Sequence, residues 1–178
     1  MGLLGVAMVT GLIFAKFARP KPRISFSRSA VITVRDEMQS LIFRTGNERA
    51  NTIIDAHMKA LLTHLETTPE GEPVRRFVPL ELQRPTTPMF VLTWQGTHAI
   101  DESSPLYGMD AAEMAESDAE ILVTVSGIDQ DLAHPMQAAQ TYKLREVHHG
   151  CRLADMFATD ADGTRLMDFQ KFHEFKVD

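Results

Sequence analysis

From Thr52 to Leu65 apolar and polar residues take turns. Ile54, Ala56, Met58, Ala60 and Leu62 share one parity, while Asp55, His57, Lys59 and Thr63 share the other. A period of two belongs to a half-buried β-strand, because successive side chains leave a strand on opposite faces. The pattern predicts a strand that buries the first set and exposes the second. Shorter runs rich in β-branched residues predict further strands over Ile24–Ser27, Ala30–Arg35, Gln39–Thr45, Val74–Leu82, Met89–Trp94, Ala119–Ser126, Ala138–Lys143, Arg152–Ala158 and Arg165–Asp168. Turn residues punctuate them at Asp36-Glu37, Gly46-Asn47, Thr67–Pro73 and Asp160–Gly163, and Pro85 and Pro88 break the chain ahead of Met89. Asp110–Ser117 reads as a short helix, with Asp110 as N-cap and Glu113 three positions on. Many short strands with little helix imply an all-β chain folded as a β-sandwich.

The alternation is absent from the first fifteen residues, MGLLGVAMVTGLIFA, which carry no charge and one hydroxyl. Lys16, Arg19, Lys21 and Arg23 follow, four cations in eight residues, with Pro20 and Pro22 to stop a helix. The first acid is Asp36. A fifteen-residue helix is about 22 Å long, short of the ~30 Å hydrocarbon core of a bilayer. A signal peptide carries its cations before the apolar run, whereas these come after it. Cations after the run place the following domain on the cytoplasmic side. The segment is expected to be the second half of a spanning helix whose first half precedes Met1. A buried or signal-like segment is the alternative. The expected organisation is a helix end over 1–18, a basic tether over 19–23 and a soluble domain over 24–178.

A net charge of −6 argues against nucleic acid as a partner. An acidic body on a basic neck instead suits contact with anionic lipid at one end. The single cysteine, Cys151, excludes an internal disulfide framework. The chain has no GxSxG, P-loop, GxGxxG or HExxH motif. His148 and His149 are neighbours in a predicted strand and point to opposite faces, which disfavours joint ligation of a metal. Asp160 and Asp162 lack the remaining ligands of a calcium loop, so Asp160–Gly163 reads as a hairpin turn. Asp101, Glu102, Ser103 and Ser104 have no histidine tied to them by the sequence and suit a self-capping loop. No catalytic residue, metal site or cofactor is expected.

Six motifs in order resemble the prokaryotic inward-rectifier potassium channels: GLIFAKFARPK (11–21), FSRSAVI (26–32), FRTGNER (43–49) continuing into IIDAH (53–57), HAIDESSPLYG (98–108), MQAAQTY (136–142) and DFQKFHE (168–174). The resemblance covers nearly the whole chain, and HAIDESSPLYG is its most specific part. It implies an immunoglobulin-like β-sandwich cytoplasmic domain preceded by a truncated transmembrane helix. The family's filter, pore helix and outer helix have no counterpart in these residues and are expected ahead of Met1. The sequence also departs from common family positions at Pro22, Ser126, Ala139 and His149.

The resemblance further implies a homotetramer in the cell membrane, with potassium as the permeant ion of the full channel. Phe14 corresponds to the bulky residue at the pore constriction, where a ring of four apolar side chains closes a pore by dewetting. Lys16, Arg19, Lys21 and Arg23 correspond to the stretch that binds anionic, phosphoinositide-like lipid. Gly127–Met136 corresponds to an apical loop around the axis, with Asp129, Asp131 and Met136 as candidates to face the cytoplasmic pore. Asp101, Glu102, Ser104 and Tyr107 fall in a loop expected at the subunit interface, where it passes movement between domain and helix. The rival from a different class is a membrane-anchored β-sandwich binding module with no ion pathway.

Overall fold

The computed structural model describes residues 23–49, 51–160 and 162–177. The predicted apolar helix over 1–18, Phe14, and the tether cations Lys16, Arg19 and Lys21 lie outside them. Among the described residues no helix is long and apolar enough to cross a membrane. Among the described residues the fold is all-β, with one short α-helix, α1 (Ala111–Glu116), and two 3₁₀ segments, Leu144–Glu146 and Phe169–His173.

The first sheet is built on β3 (Met38–Asn47). β1 (Ile24–Phe26) and β2 (Val31–Arg35) pair along one side of it and β7 (Thr93–Ala99) along the other. β2 and β3 are joined through Asp36 and Glu37, both with positive φ (51° and 64°), the geometry of a two-residue hairpin turn. The second sheet is built on β4 (Ile53–Thr67). β5 (Pro73–Leu80) and β6 (Thr86–Phe90) flank β4 on one side, and β8 (Glu120–Asp129) and then β9 (His134–Lys143) on the other. Both sheets contribute to one apolar core. Leu41 and Phe43 come from the first, and Met58, Ala60, Leu62, Ile121, Val123 and Val125 from the second. The Phe43 and Tyr142 rings meet across it at 6.0 Å. Burial there pushes the Tyr142 phenol up to about 12, partly opposed by its contact with Ser27.

After β9 the chain turns back over the outer face of the first sheet. β10 (His148–His149) adds to β2 in parallel, and β11 (Cys151–Leu153) pairs with β14 (Phe175–Val177). β12 (Phe157–Thr159) and β13 (Arg165–Met167) form a separate ribbon. Val31 and Ile42, on the face away from the main core, are buried with Cys151. Arg44 is buried and donates from Nη2 to the Ala154 carbonyl at 2.8 Å. Phe172 is buried over Gly46, where a Cβ would come within 2.8 Å of its ring.

Several expected boundaries move. Gly46-Asn47 is no turn: both residues are paired in β3, held between β1 and the segment around Leu92. Met89–Trp94 is split between β6 and β7 by a bend at Val91-Leu92, and Pro88 lies inside β6. β6 tolerates it because its outer side carries no ladder. Arg152–Ala158 is interrupted after Leu153, where Ala154 bonds to Glu174. On β4 the alternation holds from Ala56 to Leu62, but Ile53 is buried and Ile54 only half so. The cause is a bulge: Asp55 has φ 48° and the register with β8 shifts between Ile54 and His57. Thr63, expected exposed, is buried at the start of the ribbon that β4 forms with β5. The predicted helix is present with both halves of its capping box, and it buries Met114.

Candidate functional site

The expected apical loop Gly127–Met136 is a strand hairpin. β8 continues to Asp129 and β9 begins at His134, so only residues 130–133 turn. Asp129 closes that turn. Its Oδ1 accepts from the backbone N–H groups of Asp131 (3.1 Å) and Leu132 (3.2 Å). Gly127 lies against the β4 bulge, where a Cβ would come within 2.6 Å of Ile53 and 3.1 Å of the Ile54 carbonyl oxygen. The irregular backbone of β4 and this glycine together let the hairpin pack flat on the bulge.

The other Asp129 oxygen faces the segment after β3. Asn51 Nδ2 donates to Oδ2 at 2.7 Å, and the Arg49 guanidinium stands 4.0 Å from it. Asn47, buried, donates from Nδ2 to the Asn51 carbonyl (2.8 Å) and Oδ1 (3.2 Å), and accepts the Arg49 N–H on its own Oδ1 (3.1 Å). Two asparagines thus carry a hydrogen-bond chain from the end of β3 to the hairpin carboxylate. Burial of Asp129 raises its pKa, but the bonds from Asn51, Leu132 and Asp131 and the Arg49 charge outweigh this and leave it below the usual carboxylate range.

These residues wall a small cleft, completed by Arg23, Ile24, Ile53, His134 and Met136. Arg23 is exposed, and its carbonyl accepts the Glu48 N–H at 2.9 Å. The structure therefore brings together residues from two expected groups: Arg23 of the basic tether, and Asp129 and Met136 of the expected pore loop. Met136 is half-buried against the core. Asp131 is exposed on the adjoining turn and lines a shallower hollow with Arg49 and Leu132. Asn47, Arg49 and Asn51 belong to this site although no sequence motif assigns them a role in it. The available signal was the run of side-chain amides and cations in GNERAN, right after a predicted strand.

The loop holding Asp101, Glu102, Ser104 and Tyr107 does not line this cleft. It is fastened by His98, buried on β7. Nδ1 faces the Glu81 carbonyl at 2.8 Å and so carries the proton, which leaves Nε2 to accept from the Ser104 hydroxyl at 2.8 Å. Ser104 Oγ in turn accepts the Leu106 N–H at 3.1 Å. Ser104 and Leu106 are buried, whereas Asp101, Glu102 and Tyr107 are exposed. Asp101 accepts from the Ser103 hydroxyl (2.6 Å) and N–H (2.9 Å), which hold its carboxyl below the ordinary range. His148 is stacked on Phe175 at 4.1 Å.

The sequence matches, over residues 24–177, the family described as inward rectifier potassium channel C-terminal domain. It is 36% identical over 173 residues to inward rectifier potassium channel Kirbac3.1 of Paramagnetospirillum magnetotacticum, covering 97% of this chain and 59% of that protein. It is 34% identical over 185 residues to inward rectifier potassium channel 4 of Homo sapiens, covering 94% of this chain and 39% of that protein. ATP-sensitive inward rectifier potassium channel 8 of Homo sapiens is 32% identical over 179 residues, covering 97% and 42%. The chain thus spans less than two thirds of the length of these relatives. In coordinates it resembles a domain of the outer membrane lipoprotein Omp28 from Porphyromonas gingivalis at a TM-score of 0.35 and 14% identity, over 73% of this chain and 92% of that one, too weak a likeness to bear on function.

Proposed function

The chain belongs to the inward rectifier potassium channel family, matched by its C-terminal domain, and from this premise we propose that it is the cytoplasmic gating domain of a potassium channel. In this reading its two sheets form an immunoglobulin-like sandwich that hangs beneath the membrane, and four copies surround the intracellular end of the ion pathway. The observation that carries the reading is the placement of Arg23 beside the Asp129 hairpin. The domain receives its chain from the basic tether at the same end that presents Asp129 and Asp131. A hairpin at the membrane-facing end is where a ring around the axis meets ions leaving the transmembrane pore.

The chemistry follows from charge and rigidity. Exposed Asp131, repeated fourfold, supplies a ring of carboxylates that concentrates cations. Asp129 keeps the hairpin rigid through its two turn N–H groups, and through Asn51 and Arg49 it ties the hairpin to the end of β3. Phe14 is the apolar constriction above. Lys16, Arg19, Lys21 and Arg23 hold the domain to anionic lipid, with phosphoinositide head groups as the ligand class. The loop 101–107, pinned by His98 to Ser104, contacts the neighbouring subunit. Light scattering of the full chain in mild detergent tests the assembly. A mass of four chains is expected, and a monomer across micromolar concentrations overturns the pore reading in favour of a membrane-anchored binding module.

A further inference from the structure

The bend between β6 and β7 does not line the cleft above, and its outward side chains are apolar. Met89, Val91 and Leu92 are 58%, 42% and 50% exposed, three large apolar groups within four residues. Single exposed apolar side chains are ordinary on a protein surface, whereas a contiguous group of them marks a contact. The aromatic residues beside them are buried. Phe90 and Trp94 are 1% and 7% exposed, and their rings meet edge to face at 5.8 Å. This pair clamps both ends of the bend to the core, so Val91 and Leu92 stand out on a fixed support.

The bend lies at the end of the domain where the chain arrives from the tether. Ile24, at the start of β1, pairs with Asn47 at the end of β3, and on its other side Asn47 donates its N–H to the Leu92 carbonyl at 2.8 Å. Leu92 is therefore two strand spacings, about 10 Å, from the first strand after the tether. Arg23 precedes that strand and is exposed, and Arg49 stands at the same end, between β3 and β4. Ahead of them the chain holds fifteen residues without a charge and then Lys16, Arg19 and Lys21. Of the acids at this end, Asp129 is bonded to Asn51 and the hairpin turn, Glu48 accepts from the Ser25 hydroxyl, and Asp131 belongs to the hairpin assigned above to the axis. Apolar side chains flanked by cations, beside an uncharged apolar segment, have the chemistry of a lipid interface.

We propose that the Val91-Leu92 bend dips into the surface of an anionic bilayer. Its two side chains enter the boundary between head groups and acyl chains, while Arg23 meets the lipid phosphates. The inference deepens the lipid reading of the tether and rests on it. The tether cations supply an attraction that salt screens, and the bend supplies an apolar contact that salt does not screen. A second contact about 10 Å from the tether also fixes the tilt of the domain, which a single point of attachment leaves free.

The test uses the full chain in vesicles of phosphatidylcholine with about one quarter phosphatidylglycerol. A fluorophore is attached in turn at Leu92→Cys, at Pro22→Cys in the tether and at Val34→Cys, while the native Cys151 is buried. Val34 is the control: it is 68% exposed and pairs with Gln39 near the start of β3, at the opposite end of the first sheet. The readout is quenching by lipids that carry a nitroxide high on the acyl chain. The label at Leu92 is expected to lose most of its emission, as a group about 5–10 Å deep in the interface does. The label at Pro22 is expected to lose part of its emission, and the label at Val34 to keep it. Thermal melting reports whether each labelled chain is folded, and Val91→Cys takes the place of Leu92→Cys where that chain is not. Quenching at Pro22 with none at Leu92 overturns the bend contact and leaves the tether at the membrane. Quenching at neither removes the lipid reading and the bend contact together. Quenching as strong at Val34 as at Leu92 overturns the contact as a property of the bend. Self-quenching at Leu92 that unlabelled chain relieves, in place of quenching by lipid, assigns the bend to a neighbouring copy and overturns the proposal.

Discussion

Asp129 shows how one side chain sets the shape of the candidate site. Its carboxylate accepts from two turn N–H groups and from Asn51, with Arg49 nearby, and these outweigh the effect of its burial. A carboxyl whose folded pKa is lowered stabilises the fold fully above its unfolded value near pH 4 and loses that contribution as pH falls through the lower folded value. Asp129→Asn is therefore expected to be less stable than wild type at pH 7, with a difference that shrinks below about pH 4. Acid unfolding followed by Trp94 fluorescence checks this, since Trp94 is the single tryptophan and is buried. Asp101, also lowered, titrates in both proteins. Two curves separated by a constant interval down to pH 2 would remove the carboxylate from the account.

At the scale of elements, the β2–β3 hairpin and β4 make opposite demands on the sequence. The hairpin places Asp36 and Glu37 in the left-handed region, which strains residues bearing a Cβ. Asp36→Asn/Glu37→Gly supplies the pair that this turn favours, and it is expected to raise stability by about 1 kcal/mol, read as a higher Tm. An unchanged or lower Tm would mean that the two acids serve the turn in a way its backbone does not show. β4 depends on parity instead. Met58 is 1% exposed and Lys59 points to solvent. Met58→Asp buries an unpaired charge and is expected to cost a large part of the roughly 5–15 kcal/mol that holds a domain together. Lys59→Asp is expected to stay within about 0.5 kcal/mol of wild type. Similar Tm values for the two variants would refute the assigned face.

For the whole molecule the decisive relation is between the tether and the domain. Arg23 is the one tether cation among the described residues, and it lines the cleft shared with Arg49 and Asp129. A formed lipid site prefers multiply phosphorylated inositol lipids over phosphatidylserine at equal total charge, whereas a nonspecific basic collar responds to charge alone. Wild type is expected to bind charge-matched phosphoinositide vesicles more tightly at about 150 mM salt, and Arg19→Gln/Arg23→Gln is expected to lose that preference. Equal binding to both lipids by wild type would reduce the tether to a charged collar.

The all-β character, the parity of β4 from Ala56 to Leu62, the Asp36-Glu37 turn and the helix cap were legible in the chain itself, because each rests on neighbours a few residues apart. The family too was legible, since its motifs are local strings. Tertiary structure alone decided the rest. The bulge at Asp55 moves burial from Ile54 to Ile53, at the point where the register of β4 with β8 shifts and Gly127 lies close against it. Gly46-Asn47 is strand because β1 and β7 trap it from both sides, which a turn-forming dipeptide does not announce. The expected pore loop shortened to residues 130–133 because ladder pairing with β9 extended β8 as far as Asp129. The asparagine chain from Asn47 to Asp129 joins residues 82 positions apart, and only the packing of β8 against β4 brings them within hydrogen-bond reach. Local pattern determines which face a strand buries, and contacts between distant segments determine where it begins, where it bends and what it holds.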